Sequence, residues 1–321
     1  MDKRSLGSSG IEVTAFVYGA GSIGGIGSAV ATRGLGIDAA QGMDRLTEAY
    51  GLGIRVIDTA DAYAGGASEE TVGRWLAESR PDDVLVQTKV GGIVRADQPA
   101  PDLSGPHIER QLARSIQTLG RVDLYLSHIP DPGTPAEETL TAFAAARDAG
   151  LIRGFGLCNV DVRLLEAFLA AAASRGLPRP ALVQNGFSLL RRTDERDLLP
   201  LLAAEGIGYM AFSPLAGGVL SDRYLDGAAP APGSRIAVAG DRYYAGMHAP
   251  GNLARVAQLR DVARKNGIST AGLALAWLRA HPMVTASIVS PSTQPQWLAV
   301  REAISTDIHE TLLGEVAEIF R

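Results

Sequence analysis

Short apolar runs alternate along the chain with longer segments whose apolar residues recur at helical spacing, and this alternation restricts the fold most strongly. A strand followed by a helix, repeated eight times, is the pattern of a (β/α)8 TIM barrel, an α/β fold. The predicted strands are 16–19, 55–58, 84–89, 124–128, 154–157, 182–185, 208–212 and 285–289. The predicted helices include 41–51, 68–79, 107–119, 135–149, 162–175 and 195–205. Because 321 residues suit one such barrel and no linker interrupts them, we expect a single domain over residues 1–321.

Two segments go beyond a bare barrel. The stretch RSLGSSGIEV, residues 4–13, is typical of a β-hairpin, and we expect it to close the bottom of the barrel. Residues 214–251, after the seventh predicted strand, are rich in Gly, Pro and Ala and predict a long loop over the active-site mouth. Four side chains of this loop have two possible roles: they either cover a substrate or cofactor, or they are ordinary anchors of an exposed loop. They are Arg242, Tyr243, Tyr244 and His248.

Charge and composition argue against several classes of partner. A net charge of −5 leaves no basic face for a phosphate backbone, so we expect no nucleic-acid partner. Gly and Pro interrupt every hydrophobic run, so we expect no membrane span, and we expect no signal peptide either. One cysteine excludes an internal disulfide, and the five His show no paired ligand spacing, so no metal site is predicted. We expect a cytoplasmic protein, either a monomer or a homo-oligomer.

Residues 19–24, GAGSIG, have the G-x-G-x-x-G spacing of a dinucleotide-binding turn, but their surroundings argue against that interpretation. Such a turn leads directly into a helix, and the sequence after Ser22 is too rich in glycine for a helix to start there. The acidic residue expected about twenty positions further on would be Asp38, which no apolar strand precedes. We therefore expect a flexible first βα loop of a barrel rather than a Rossmann site.

Four polar side chains lie at or just after consecutive predicted strand ends, namely Asp58, Tyr63, Lys89 and His128. In a parallel barrel these ends open on one face, so the four can converge. The Lys89 ammonium would lower the pKa of Tyr63 from its usual value of about 10, and the Asp58 carboxylate would keep Lys89 charged. His128 would hydrogen-bond a substrate oxygen. Together they predict a proton donor facing a polarised carbonyl group.

Longer stretches of the sequence resemble a known family. In order, they are DTADAYAGGASEETVG, QTKVGG, DLYLSHIPDPGTPAEETL, GLIRGFGLCN, VQN, AFSPLAGGVLSDRY and GLALAWLRAHPMVTASIV. Through them the chain resembles the aldo-keto reductase superfamily along nearly its whole length. HIPDPGTPAEETL and DRYY are most similar to the branch of aflatoxin-aldehyde reductases and bacterial sugar-ketone reductases. The resemblance implies an NAD(P)(H)-dependent oxidoreductase that interconverts an aldehyde or ketone and the alcohol by hydride transfer. It makes Asp58, Tyr63, Lys89 and His128 the catalytic tetrad, with Tyr63 as general acid in reduction and general base in oxidation.

The same resemblance implies where the cofactor binds. Asn159 and Gln184 match residues that hold the nicotinamide carboxamide, and Phe212 matches an aromatic ring that stacks on the nicotinamide. Ser213 and Leu215 match the start of a loop that crosses the pyrophosphate. The full set of implied cofactor contacts is Gly21, Ser22, Asp58, Cys158, Asn159, Gln184, Phe212, Ser213, Leu215, Ser290, Ser292 and Gln296.

Two departures from the family pattern concern the cofactor region. Members usually present Lys or Arg near Ser290 or Ser292 to hold the adenosine 2′-phosphate; here Gln296 is kept and the basic residues are missing. Either Arg301 or another residue replaces them, or NADP loses its usual advantage over NAD. NADP(H) is the family default, and NAD(H) is the alternative. Gly186 also stands where a Glu is common.

Several alternatives stay open. A sugar (aldose) dehydrogenase or an NDP-sugar ketoreductase would use the same fold, so a small-molecule carbonyl or sugar is the expected substrate. A catalytically weak, cofactor-sensing regulatory subunit, like the potassium-channel β subunits, is the alternative of another class; the intact tetrad argues against it. Cys158, where the family usually has Ser, is either a silent small residue or a redox sensor.

Overall fold

The computed structural model describes residues 1–94, 101–227 and 229–321, and at its centre is a closed barrel of parallel strands. A hairpin of β1 (Lys3–Ser5) and β2 (Glu12–Thr14) precedes it. The barrel strands are β3 (Phe16–Gly19), β4 (Val56–Asp58), β5 (Leu85–Val90), β6 (Leu124–Ser127), β7 (Gly154–Cys158), β8 (Leu182–Gly186), β9 (Gly208–Phe212) and β10 (Ala286–Val289). Each strand pairs with the next in sequence, and β10 pairs with β3 to close the barrel. The predicted TIM barrel with an N-terminal hairpin is confirmed.

Helices surround the barrel. They are α1 (Ala39–Gly51), α2 (Ala67–Ser79), α3 (Gly105–Leu119), α4 (Ala136–Asp148), α5 (Val162–Arg175), α6 (Leu198–Glu205), α7 (Arg235–Tyr243), α8 (Pro250–Lys265), α9 (Thr270–Ala280), α10 (Gln294–Ser305) and α11 (Glu310–Ile319). Carboxylate caps fix some of their starts: Asp38 accepts the amide N–H of Gln41 at 2.8 Å at the start of α1. The helix predicted over 195–205 begins later, at Leu198, since Thr193–Glu195 form a separate 3-10 turn.

The hairpin closes the N-terminal end of the barrel, as expected. Leu6 and Val13 are buried in an apolar cluster with inward residues of the strands, and burying a leucine completely contributes roughly 2 kcal/mol. The strand residues of this cluster include Val17, Val56, Leu124, Leu126, Leu182, Met210 and Ile288. The Arg4 guanidinium connects the hairpin to the segment between α9 and β10, because it donates to the carbonyl oxygens of Arg279 at 2.6 Å and Val284 at 3.0 Å.

The long segment predicted after the seventh barrel strand lies between β9 and α8, and part of it is helical, which the sequence analysis did not predict. Two 3-10 turns come first, Ala216–Gly218 and Asp222–Gly227. Helix α7 follows, and the Ser234 hydroxyl caps it by accepting the amide N–H of Ala237 at 3.2 Å. Its sequence, RIAVAGDRY, has only nine residues, contains a glycine and follows a stretch rich in Gly, Pro and Ala, so a loop was expected there. Position 228 of the segment lies outside the described residues.

Two further findings bear on partners. In the part of the chain that the structure describes, none of the helices is long and apolar enough to cross a membrane. Across residues 1–94, 101–227 and 229–321, no three His, Cys, Asp or Glu side chains lie together as potential metal ligands. The single domain over residues 1–321 stays a prediction.

Candidate active site

The four predicted tetrad side chains meet at the C-terminal end of the barrel. Asp58 is the last residue of β4, Lys89 lies near the end of β5, and His128 directly follows β6. Tyr63 lies in the loop after β4 and begins a 3-10 turn. This is the face on which TIM barrels build their catalytic sites, because the βα loops converge there.

The Lys89 ammonium is the centre of the group. Its Nζ lies 2.8 Å from Asp58 Oδ2, 2.8 Å from the carbonyl oxygen of Thr59 and 3.1 Å from the hydroxyl oxygen of Tyr63. An ammonium has three protons to donate, so each of them has an acceptor. The side chains of Lys89 and Asp58 are only 1% and 3% exposed. The ion pair is therefore shielded from water, and Lys89 is held in one orientation.

The second oxygen of Asp58 is also engaged. Its Oδ1 accepts from the amide of Gln87 at 2.5 Å and from the amide of Gln184 at 3.1 Å. Gln87 was not among the residues predicted from the sequence, although side chains alternate along a strand and Gln87 shares the inward face of β5 with Lys89. The ion pair with Lys89 and the two amides therefore hold the Asp58 carboxylate by both of its oxygen atoms.

The protonation states differ in one respect from the sequence argument. Burial alone would lower the pKa of Lys89, but the charge of the Asp58 carboxylate raises it above its ordinary value, so the ammonium persists. Burial raises the pKa of Tyr63, and the opposing effect of Lys89 is smaller. The expected net lowering of the Tyr63 pKa is therefore wrong, because desolvation of the phenolate outweighs the nearby charge. At neutral pH Tyr63 keeps its proton, which is the form that a proton donor needs.

His128 completes the group beside Tyr63. The two ring centroids are 5.3 Å apart and the planes stand at 83°, an edge-to-face contact. Burial, aided by the Lys89 charge, lowers the pKa of His128 to about 3, so the ring is neutral near pH 7. Its Nδ1 is buried with no hydrogen-bond partner among the described residues. A neutral imidazole has one N–H, which His128 can offer to an oxygen in the mouth.

The first βα loop lies against Tyr63 without forming a Rossmann turn. A side-chain carbon on Gly21 would be 3.2 Å from Tyr63 Cε2, so the loop backbone contacts the phenol ring. The carbonyl of Ser22 accepts the amide N–H of Ile37 at 2.8 Å, and its hydroxyl is buried with no partner among the described residues. Helix α1 starts only after Asp38, which is its N-cap. The expectation of a barrel loop in place of a dinucleotide turn is confirmed.

Cys158 is the last residue of β7, Asn159 directly follows it, and Gln184 lies in the middle of β8. Asn159 is exposed, takes a left-handed backbone conformation (φ 58°) and donates from Nδ2 to the carbonyl oxygen of His128 at 2.9 Å. Gln184 is buried, with its amide on Asp58 and its Oε1 facing Cys158 Sγ at 3.6 Å. Burial raises the pKa of the Cys158 thiol, so it stays a neutral thiol. This environment favours the silent reading of Cys158 over the redox sensor.

Phe212 and the residues after it border the mouth beyond β9. Phe212 is partly exposed at the end of that strand, and Leu215 is partly buried against the main core. Ser213 takes a left-handed conformation (φ 53°), and its hydroxyl lies 3.2 Å from the Tyr244 hydroxyl. The long segment after β9 thus returns to the strand end at Ser213.

Gly186 leaves room for a second attachment of that segment. A side-chain carbon there would lie 2.6 Å from Arg191 Nη1 and 3.2 Å from Phe212 Cε2, so the Arg191 guanidinium passes close over the Gly186 backbone. The passing guanidinium of Arg191 donates to the carbonyl oxygen of Tyr243 at 3.0 Å. Of the other predicted loop residues, His248 stacks edge-on against Tyr224 and the side chain of Arg242 lies outside the described residues.

The region predicted to hold the adenosine end has no free basic residue among the positions considered. The Ser290 hydroxyl donates to the carbonyl of Gly19 at 2.6 Å. Gln296 Oε1 accepts from the backbone and side chain of Ser292, at 2.8 and 3.1 Å, at the start of α10. Arg301 pairs with Glu48 on α1 at 3.0 Å, so its charge already has a partner.

Comparison with known proteins agrees with this geometry. A model of the aldo/keto reductase family matches residues 18–320. The chain belongs to this family. Aldo/keto reductases use NAD(P)H and act on small-molecule carbonyl substrates.

Individual relatives of this aldo/keto reductase cover nearly its whole length. A probable voltage-gated potassium channel subunit beta of Oryza sativa subsp. japonica is 30% identical over 326 residues, 99% of this chain and 95% of the relative. The NADH-specific methylglyoxal reductase of Escherichia coli (strain K12) is 29% identical, with 99% of each chain covered. The solved structure of a glycerol dehydrogenase from Gluconobacter oxydans shares the fold, with a TM-score of 0.83 at 23% identity over 99% of this chain and 94% of that one.

Proposed function

We propose that this protein is an NAD(P)(H)-dependent oxidoreductase that interconverts an aldehyde or ketone and the corresponding alcohol, with Tyr63 as the residue that transfers the proton. The observation that supports this most strongly is the chain of contacts from Asp58 through Lys89 to the Tyr63 hydroxyl, at 2.8 and 3.1 Å. A phenol with a charged ammonium at hydrogen-bond distance can release a proton to a substrate oxygen, because the phenolate left behind is stabilised at once.

The residues around the tetrad fit a nicotinamide cofactor. Asn159 is exposed at the mouth, and its side-chain oxygen has no partner among the described residues, so it can accept from a carboxamide. Phe212 offers part of its ring at the end of β9, and Gln184, on the strand between β7 and β9, donates to Asp58. When bound, the cofactor supplies hydride to the carbonyl carbon or takes it from the alcohol.

The chain's own residues then handle the oxygen atom. In reduction, the Tyr63 hydroxyl donates its proton to the carbonyl oxygen, and Lys89 stabilises the resulting phenolate. The neutral His128 donates an N–H to the same oxygen and so directs it toward Tyr63. In oxidation the Tyr63 phenolate accepts the proton of the alcohol. Asp58 holds Lys89 in place and takes no part in proton transfer.

Cofactor preference follows from the adenosine region. NADP(H) is the family default, but Ser290, Ser292 and the paired Arg301 offer no unpartnered cation to a 2′-phosphate. We therefore expect the preference for NADPH over NADH to be less than about tenfold, since the charge-assisted contacts that enlarge it are missing. Quenching of tryptophan fluorescence by each reduced cofactor measures the two dissociation constants. A preference well above a hundredfold would show that another cation binds the phosphate.

The variant Tyr63→Phe tests the reaction directly. We expect kcat to fall by about 10²- to 10⁴-fold, the usual contribution of a general acid, with the dissociation constant of NADPH unchanged within roughly threefold. Tyr50→Phe is the matched control, because the Tyr50 phenol lies far from the tetrad. Its ring centroid is 4.1 Å from Cζ of Arg55, which precedes β4 at the end opposite Asp58. Methylglyoxal, simple aldehydes, ketones and aldoses form the substrate panel, and the aldoses test the sugar dehydrogenase alternative. If Tyr63→Phe keeps the wild-type rate, the proposal is wrong.

A regulatory subunit is the second candidate, favoured by the likeness to the Oryza sativa channel subunit over 99% of this chain. That candidate predicts tight binding of NADPH without turnover of any compound in the panel. The same titration and turnover assays separate the two candidates, and the intact contacts of Lys89 support the enzyme.

A further inference from the structure

A second buried polar group lies on the outer side of the barrel wall, behind the tetrad. We call it the outer cluster; its members, all buried, are Asp61, Glu69, Thr88, Gln111, Ser115 and Tyr125. Thr88 lies between Gln87 and Lys89 on β5, so its side chain faces the helices while theirs face the barrel interior. It donates to Glu69 Oε1 on α2 at 2.6 Å. None of the chemistry proposed above uses this cluster.

Asp61 links the outer cluster to the loop that carries Tyr63. Its Oδ2 accepts from the Gln111 amide on α3 at 3.0 Å, and its backbone N–H donates to the carbonyl of Lys89 at 3.2 Å. On the inner side, Lys89 Nζ donates to the carbonyl of Thr59 at 2.8 Å. Residues 59–61 are therefore attached to β5 through the Lys89 side chain and the Asp61 backbone N–H, and to α3 through the Asp61 carboxylate.

The attachment of residues 59–61 determines where the Tyr63 phenol lies. Tyr63 follows Asp61 by two residues, and its backbone N–H closes a turn onto the carbonyl of Ala60 at 3.1 Å. A rotation of the segment at Asp61 would therefore carry the Tyr63 hydroxyl away from Lys89. Misplacement of a reacting group by about 1 Å can cost about a hundredfold in rate.

We propose that Asp61, anchored by Gln111, is a positioning residue that holds Tyr63 in its reactive geometry. The inference rests on the proposed function, because it concerns the rate of proton transfer by Tyr63. It does not require Asp61 to contact the substrate.

The protonation of Asp61 supplies a signature beyond packing. Burial raises the pKa of Asp61 to about 7; the Gln111 hydrogen bond opposes this and the Glu69 charge adds to it. Asp61 Oδ1 has no partner among the described residues, so the ionised form is poorly satisfied. The titratable and charged groups that face it are Glu69 on α2, Lys89 on β5, Tyr125 on β6 and, through Gln111, Arg114 on α3. Ionisation should loosen the turn, so kcat should fall as pH rises through about 7.

Three variants of the full chain test the proposal, with NADPH and the best carbonyl substrate of the panel. Asp61→Ala removes the anchor, and we expect kcat to fall about 10- to 100-fold while the NADPH dissociation constant stays within threefold. Asp61→Asn keeps an acceptor for Gln111, so kcat at pH 6 should stay near wild type and the break near pH 7 should vanish. Glu69→Gln is the matched control: it removes a buried carboxylate bonded to Thr88, and the break should move to lower pH.

The outcomes distinguish this inference from the proposed function. If Tyr63→Phe abolishes turnover while Asp61→Ala leaves kcat unchanged, the positioning role is wrong and the proposed function stands. If Asp61→Asn keeps the wild-type pH profile, the coupling of Asp61 to Tyr63 is wrong. Should Asp61→Ala fail to fold, the pH profiles of Asp61→Asn and of the wild type still test the positioning role, since both proteins retain an acceptor for Gln111.

Discussion

The ion pair between Lys89 and Asp58 allows a test in which stability and activity respond differently. In Lys89→Met an unbranched apolar side chain, shorter by one atom, replaces the ammonium, so all three hydrogen bonds of Nζ disappear. The Asp58 carboxylate, 3% exposed, would then keep only the two neutral amides of Gln87 and Gln184. A second variant, Asp58→Asn/Lys89→Met, removes both charges together.

The expected magnitudes follow from the burial of the pair. Leaving one partner of a buried ion pair alone costs about 3–5 kcal/mol, because the remaining charge is desolvated without compensation. Replacing both partners by neutral side chains removes that penalty, so the double variant should recover about 2 kcal/mol or more of the loss. Activity should not recover, because neither variant leaves an ammonium beside Tyr63.

Urea unfolding followed by tryptophan fluorescence measures these differences. The three reporters Trp75, Trp277 and Trp297 are each at most 2% exposed. Turnover of the same samples on the carbonyl panel reports the catalytic loss. The reasoning is refuted if Lys89→Met loses less than about 1 kcal/mol, or if the double variant is no more stable than the single one.

Three further predictions concern other parts of the site. Cys158 should resist thiol reagents in the folded protein at pH 8, since it is 1% exposed, and should react fully in denaturant; fast labelling of the folded form would contradict its burial. Below pH 6.5 His128 is protonated in the unfolded chain, whereas in the folded chain, where its pKa is about 3, it stays neutral. The free energy of unfolding should therefore decrease as the pH is lowered, by about 1.4 kcal/mol per pH unit. His128→Asn should flatten that slope between pH 6 and 4 in urea unfolding, and an unchanged slope would count against a neutral buried ring. Arg191→Met removes the contact with the Tyr243 carbonyl and should speed proteolysis after β9 roughly fivefold, about 1 kcal/mol; equal rates would show that other contacts hold the segment.

The barrel and the tetrad were predictable because their signals are local. Strands 16–19 and 208–212 match β3 and β9 residue for residue, since their apolar runs are bounded by glycine or a polar turn. Asp58, Lys89 and His128 each lie at a strand end, and the parallel topology brings strand ends to one face. The topology therefore brings these three side chains together.

What could not be predicted depends on burial and on distant contacts. The direction of the Tyr63 pKa shift results from a balance between desolvation and the Lys89 charge, and only the coordinates tell how much water is excluded. The Arg191 guanidinium passes close over Gly186, a contact that no sequence spacing indicates. Asp61 lies within the stretch DTADAYAGGASEETVG and was not singled out there. Its contact with Gln111 joins residues 50 positions apart, so no local pattern indicates it.

The closure of the barrel by β10 against β3 also constrains biosynthesis. Arg4 leaves the ribosome 280 residues before Val284, whose carbonyl it will bind, and 275 before Arg279. Until β10 has emerged, one edge of β3 has no neighbouring strand, and open edges recruit foreign strands. A nascent chain halted before residue 286 should therefore need chaperones to stay monomeric, whereas one released after β10 can shut itself.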